Sequence, residues 1–313
     1  MGMSRKDALD CFESDDLIGI GMEADAVRRR LHPEGVVSYT LDGRIDYTKA
    51  ANGAGFEHLF EKIASIMEMG GTGVMLQGEV TPAHTISWFD RLFRNIKERF
   101  PALWLHCLSA SEILAIARQS ALTVQDTVTQ LRDSGLDSIP GNDAEMLDDA
   151  VQREHSAEDW IAVHRAAHAL GMHTTATMTF GSGETLEHRM NHLDAVRRLQ
   201  EETGGFTSFT PLSFAPQSAA ISGFEEATAV EYLKTLAISR MFLDNIENVQ
   251  SNLETQGLKV LQVGLRFGGN DVGSVLLAEG ANRATEEQVR QVIRDAGFKP
   301  VQRDTLYRTM FLN

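Results

Sequence analysis

Apolar side chains recur at three- and four-residue spacing in residues 4–12 and again in residues 16–31, where Leu17, Ile20, Ala24 and Val27 share a face. That period predicts two helices. From Val36 onward the pattern changes to short apolar or β-branched runs at 36–41, 73–76, 103–108, 136–139, 174–180, 206–214 and 261–267. Amphipathic segments separate them, the order expected of repeated β–α units feeding a parallel sheet. Residues 274–277 supply a candidate eighth strand.

Helix ends are marked by side-chain chemistry. Thr123 with Asp126, Ser156 with Asp159 and Thr285 with Gln288 have the spacing of a capping box. Gly70, Gly135, Gly171, Gly204 and Gly297 follow helical stretches, where a residue that tolerates positive φ is wanted. Residues 85–100 place Trp88, Leu92, Ile96 and Phe100 on one stripe, as a helix covering a barrel requires. The pattern predicts an α/β fold with a TIM-type (β/α) barrel in a single domain. Residues 1–35 form an added helical layer, 36–280 the barrel, and 281–313 a last helix and tail.

Charge and cysteine content narrow the functions. Twenty-nine Lys and Arg against 44 Asp and Glu give a formal charge of −15, which opposes attraction to nucleic acid or to anionic lipid. No apolar run is long enough to span a bilayer, and the first ten residues are polar, so a cytoplasmic location is expected. Cys11 and Cys107 are the only cysteines, which rules out a disulfide framework.

Candidate chemistry gathers at the carboxyl ends of the predicted strands, where barrel sites form. Strand ends carry Gln77-Gly78-Glu79, His106-Cys107-Leu108-Ser109 with Glu112 close behind, and Asn142-Asp143-Ala144-Glu145 in a loop expected to open a helix. Thr174, Thr175, Thr177 and Thr179 put hydroxyls on both faces of one strand; Ser213 ends another, and Arg266, Asn270 and Asp271 belong to the last. Turn residues explain any one of these without a ligand. Six strand ends converging with polar groups imply a mixed-charge pocket for a hydroxyl-rich small molecule. His164 and His168 have metal-ligand spacing but no accompanying HExxH pattern, so a solvated or capping role is expected for them. There is no GxSxG elbow, P-loop or strand-to-helix GxGxxG.

The chain resembles a known family along most of its length. Asp15-Asp16-Leu17, Ala24-Asp25-Ala26-Val27-Arg28, the run 70–78, Leu105-His106-Cys107-Leu108-Ser109, Thr174-Thr175-Ala176-Thr177-Met178, Glu202-Thr203-Gly204-Gly205-Phe206-Thr207, Arg266-Phe267-Gly268-Gly269-Asn270-Asp271 and Gln302-Arg303-Asp304-Thr305-Leu306-Tyr307 look like the dehypoxanthine futalosine cyclases. These are radical S-adenosylmethionine barrel enzymes of menaquinone synthesis. The resemblance implies a barrel of the radical S-adenosylmethionine kind and S-adenosylmethionine as the candidate cofactor, with Gln77, Glu79, His106, Ser109, Glu112 and Glu145 around it. It implies a substrate side of Thr175, Thr177, Ser213, Arg266, Asn270 and Asp271, and Glu79, Glu145 and Asp271 as candidate acid–base groups.

The departure from the family is equally local. Its Cys-x3-Cys-x2-Cys loop holds a [4Fe-4S] cluster, and the corresponding residues 45–56 here contain no cysteine. Two thiols cannot supply the usual three or four ligands, so no [4Fe-4S] cluster and no metal site is expected. The expected function is therefore that of a cluster-free homologue that binds S-adenosylmethionine or a futalosine-type nucleoside and works, where it is catalytic, by non-radical chemistry. The alternatives are a non-catalytic partner of an intact cyclase or synthase, and a cyclase whose cluster loop was lost by decay or by misreading of the gene. A homodimer or a complex with an intact enzyme of the same pathway is compatible with either role.

Overall fold

The computed structural model describes residues 2–50, 56–142, 146–150, 155–214, 227–277 and 282–308. Helices α1 (Arg5–Glu13) and α2 (Leu17–Leu31) begin where short polar side chains satisfy the first amides: Ser4 accepts from the Asp7 amide and Asp16 from the Gly19 amide. Their apolar faces, Ala8 and Phe12 on one and Ile20 and Ala24 on the other, are buried. They lie on two later helices, α9 (Leu186–Thr203) and α10 (Ala229–Phe242), and Arg5 pins the layer through ion pairs to Glu187 at 2.6 Å and to Asp194.

The barrel follows. Its strands are β2 (Gly43–Asp46), β3 (Gly73–Gln77), β4 (Trp104–Leu105), β5 (Ser138–Ile139), β6 (His173–Phe180), β7 (Phe206–Ser213), β8 (Asn248–Val249) and β9 (Asp271–Ser274). Among the described residues every pairing is parallel. Single bridges from His106 to Ser138 and from Gln250 to Asp271 join the shorter sheets. The Ser274 hydroxyl donates to the Asp42 carbonyl, bringing the last barrel strand to the first. Strand β1 (Val36–Thr40) lies between β9 and β10 (Lys299–Gln302). Helices α3 (Tyr47–Ala50), α4 (Glu57–Glu68), α5 (Ile86–Arg99), α6 (Ala110–Ser120), α7 (Val124–Ser134), α8 (Ala157–Ala169), α11 (Leu253–Gly264) and α12 (Glu286–Asp295) complete the α/β order.

Helix boundaries follow the expected caps. Ser156–Asp159 and Thr285–Gln288 form complete boxes, and Thr123 accepts from the Asp126 amide. Gly135 at φ +120° ends α7, and Gly204 at φ +64° ends α9. On α5 the buried face is Phe89, Leu92, Phe93 and Ile96, with Trp88 and Phe100 at its margins. Burying such a side chain contributes about 1.5–3 kcal/mol, which is why this face selects the helix orientation.

Three expectations are corrected. Residues 261–267 are not a strand: Leu261 falls in α11, and Leu261 and Leu265, four apart, point into the same apolar cluster. The strand lies later, at Asp271–Ser274, and Val275–Leu277 is a single 3₁₀ turn. His164 and His168 are neither solvated nor capping. His164 is fully buried and both rings meet the Thr174 hydroxyl, at 3.0 and 2.7 Å, in the layer between α8 and β6.

Candidate functional site

Strand alternation decides what enters the barrel. On β6, Thr174, Ala176, Met178 and Phe180 turn outward beneath the helices, while Thr175 and Thr177 turn inward. The inward side chains enclose a cavity of about 150 Å³ on the barrel axis. His106, Thr40, Asn142, Thr210, Gln250 and Tyr307 supply its polar lining, with Val74, Met75 and Leu212 the apolar part.

Close approach fixes one wall. The Gly141 amide donates to Thr175 Oγ1 at 3.0 Å, and Thr177 Oγ1 donates to the Gly141 carbonyl at 2.5 Å. A Cβ on Gly141 would lie 2.4 Å from the Thr175 carbonyl oxygen, so only glycine lets this loop reach β6 and bring Asn142 to the cavity. The opposite wall comes from the segment after β10. Arg303 forms a two-pronged ion pair with Asp271 (2.5 and 2.8 Å) and lies 3.8 Å from the centre of the Tyr307 ring. Gln250 donates to the Tyr307 hydroxyl at 2.9 Å and accepts from Thr210 at 2.9 Å. Burial pushes the Tyr307 phenol up to about 12, and Tyr307 holds φ +62°, a left-handed conformation uncommon outside glycine.

Both arginines at the cavity are neutralised in place, while the Asp42 carboxylate there is held by the Gly73 amide and the Thr305 hydroxyl. Arg44 meets Glu254 at 3.0 and 3.3 Å, and Arg303 meets Asp271. Neutral polar atoms are left over: Thr40 Oγ1, Asn142 Oδ1 and Ser208 Oγ are buried at the cavity without a hydrogen-bond partner. Buried polar atoms are nearly always paired, so these mark where a bound group is wanted.

Of the residues chosen from sequence, the structure brings His106, Thr175 and Thr177 together around this cavity. Gln77 ends β3 and Glu79 lies beyond it, exposed. Ser109 and Glu112 are consumed by the start of α6. The Ser109 side chain accepts from the Glu112 amide, and the Glu112 carboxylate takes the amides of Ser109 (2.7 Å) and Gly78 (2.9 Å) and the Tyr47 hydroxyl (2.8 Å). Burial pushes the Glu112 carboxyl up despite these bonds.

Asp271 is a structural anchor and not an available acid–base group. It is fully buried and accepts from Ser38 Oγ at 2.6 Å, the Gly273 amide at 2.7 Å and Arg303. Asn270 is buried against Arg240, Val249 and Asn248. Ser213 faces away from the cavity and accepts from Gln256 at 2.7 Å. Arg266 lies exposed on the outer surface, over the Phe298 ring. Glu145 falls outside the described residues, as do residues 51–55 of the loop that would carry cluster ligands. Sequence reasoning passed over Thr40, Gln250, Arg303 and Tyr307; the only signal was the Gln302-to-Tyr307 string, which gave no role to any of its members.

The donor set does not fit an iron–sulfur cluster. Cys11 sits in α1, and Cys107 is buried behind β3, its Sγ accepting from the Leu76 amide at 3.4 Å. Burial pushes both thiols up, away from the thiolate form that metals bind. Among the described residues no three His, Cys, Asp or Glu side chains are grouped to hold a metal ion, and no helix is long and apolar enough to cross a membrane.

Residues 203–312 match the family model described as the CofH/MqnC C-terminal region. A cyclic dehypoxanthine futalosine synthase of Halalkalibacterium halodurans is 35% identical, covering 97% of this chain and 90% of its own length. A 5-amino-6-(D-ribitylamino)uracil–L-tyrosine 4-hydroxyphenyl transferase of Methanothermobacter thermautotrophicus is 39% identical over 80% of this chain and 74% of its own. Among solved structures, methylornithine synthase superposes with a TM-score of 0.72 over 96% of this chain and 94% of the other, at 15% identity, a likeness of fold alone.

Proposed function

The chain belongs to the family of the cyclic dehypoxanthine futalosine synthases, and from that membership we propose that it is a homologue working without an iron–sulfur cluster, which holds the neutral sugar or base of a futalosine-type nucleoside in its barrel and takes no part in radical chemistry. The observation that carries this reading is the lining of the axial cavity. Both arginines there are already paired with carboxylates, while neutral hydroxyl and amide atoms are left without partners. Such a lining suits a sugar or a base better than a phosphate, whose charge needs a free cation. A cavity of about 150 Å³ has room for a single ring, as engineered cavities of that size do. The rest of a nucleoside would extend toward the strand ends. S-adenosylmethionine is the weaker candidate ligand, because Ser109 and Glu112, expected at its ribose or ammonium, are spent on capping α6.

The test is a thermal-shift titration of aerobically purified, metal-free protein with a futalosine-type nucleoside and with S-adenosylmethionine. A ligand at a hundred times its dissociation constant adds about 2.7 kcal/mol to the folded state. For a chain of this size that raises Tm by roughly 4 °C. Absence of any shift with the nucleoside at millimolar concentration would refute the proposal.

A further inference from the structure

Two residues on β4 and just after it, Trp104 and His106, point their rings at one hydroxyl on the neighbouring strand. Trp104 Nε1 lies 2.8 Å from Ser138 Oγ and His106 Nδ1 lies 2.7 Å from the same atom. Parallel register sets this up, since His106 bridges directly to Ser138 and Trp104 is two residues back on the same face. Ser138 is 2% exposed, so its hydroxyl has no water to fall back on.

The proton count then has one economical solution. An indole N–H can only donate, so Ser138 Oγ accepts from Trp104. The hydroxyl's own hydrogen has His106 Nδ1 as its acceptor in reach. A proton on Nδ1 would leave that hydrogen buried and unpaired, an imbalance worth at least about tenfold in the tautomer ratio. His106 therefore keeps Nδ1 bare and carries its proton on Nε2. That atom has no partner among the described protein groups, and the residue lines the axial cavity. Burial, assisted by Arg303 and opposed by Asp42, lowers the imidazole to about 4, so the ring is neutral at physiological pH.

We propose that Ser138 is a positioning residue that locks His106 as an Nε2–H donor, so that the cavity selects a ligand atom that accepts a hydrogen bond, a carbonyl oxygen in the first place, over an amino group in the same position. The selection half rests on the reading that the cavity holds a nucleoside; the lock does not.

The lock is tested without ligand by two-bond ¹H–¹⁵N correlation spectra of protein labelled at histidine nitrogen, with His106→Gln to assign the signal. The expected spectrum shows His106 with a bare Nδ1 and a protonated Nε2. Ser138→Ala should mix the tautomers and Ser138→Thr restore the wild-type pattern; should Ser138→Ala fail to fold, Ser138→Cys, whose thiol is a weak donor, should also mix them. A protonated Nδ1 in the wild type overturns the lock. Selection is read by calorimetry with inosine and adenosine, which carry a carbonyl and an amino group at one ring position. Inosine should bind about tenfold tighter, with the ratio falling toward one in Ser138→Ala. Equal or reversed affinities in the wild type overturn the selection. Binding of neither nucleoside overturns the reading of the cavity and the selection with it, while the spectrum judges the lock separately.

Discussion

Replacing Arg303 by Met should be among the most destabilising single changes in this chain. The guanidinium is 4% exposed in its side chain and its partner carboxylate not at all. Methionine fills most of the same volume, so the loss is electrostatic and not a cavity. Two charge-assisted bonds to Asp271 disappear, together with the bond to the Asp304 carbonyl and the stacking on Tyr307. Asp271 is then left buried with only Ser38 Oγ and the Gly273 amide as donors. Breaking a buried pair on one side costs about 3–5 kcal/mol, which for a chain of this length corresponds to a drop in Tm of roughly 5–8 °C. Removing both partners should cost less than removing one, because no uncompensated charge remains. The assay is a double-variant cycle of Arg303→Met, Asp271→Leu and their combination, followed by urea melts with dichroism. If Arg303→Met lost less than about 1 kcal/mol, or the combination lost the sum of the two singles, the pair would not be the buried anchor described.

Three further outcomes are expected. Burial lowers His106 and His168 to about 4 and His192 to about 3, below the ~6.5 of an open chain. The unfolded chain therefore takes up these protons first, so stability is fully present above pH 6.5 and lost as pH falls toward 4, by about 1.4 kcal/mol per pH unit for each ring; equal urea midpoints at pH 7 and pH 5 would contradict this. Gly141→Ala should force the loop off β6 at a cost of about 1–3 kcal/mol and weaken nucleoside binding, whereas unchanged melting and binding would show that the contact with Thr175 is slack. Anaerobic treatment with iron and sulfide should leave no stoichiometric [4Fe-4S] centre after desalting, and a lasting visible and paramagnetic signal would show that the protein holds a cluster after all.

Much of the architecture is written in local chemistry. Ser4, Asp16, Ser156 and Thr285 start helices in the chain as they do in peptides, and long strands such as β6 and β7 carry enough β-branched residues to be recognised. Two-residue strands do not. Asn248–Val249 has no period to detect, and its place is set by Ser208 and Phe209 beside it. The error at residues 261–267 came from apolar density: Leu261 and Leu265 match a strand as well as they match one face of a helix end. At the site, His106, Thr175 and Thr177 were legible because they lie on or beside strands with a readable inward face. Asp271, Asn270, Ser109 and Glu112 looked chemical for the reason that makes them structural, since a buried turn needs groups that accept many bonds. Arg303 and Tyr307 reach the axis from a segment that a repeating β–α pattern does not lead one to expect there.

The pairing of β1 with β10 has a consequence for how the protein is made. Val36 lies opposite Lys299 in the sheet, and Asp271 waits for Arg303. At ribosomal speeds of about 5–20 residues per second, the chain spends on the order of ten to fifty seconds with its first strand emerged and its last not yet translated. During that interval β1 offers an unpaired edge, and Asp271, once made, still lacks its cation until Arg303 follows. Contacts so distant in sequence form slowly even after release. A nascent chain stalled before residue 299 would therefore display an exposed strand, which makes chaperone capture of such intermediates a natural accompaniment of its synthesis.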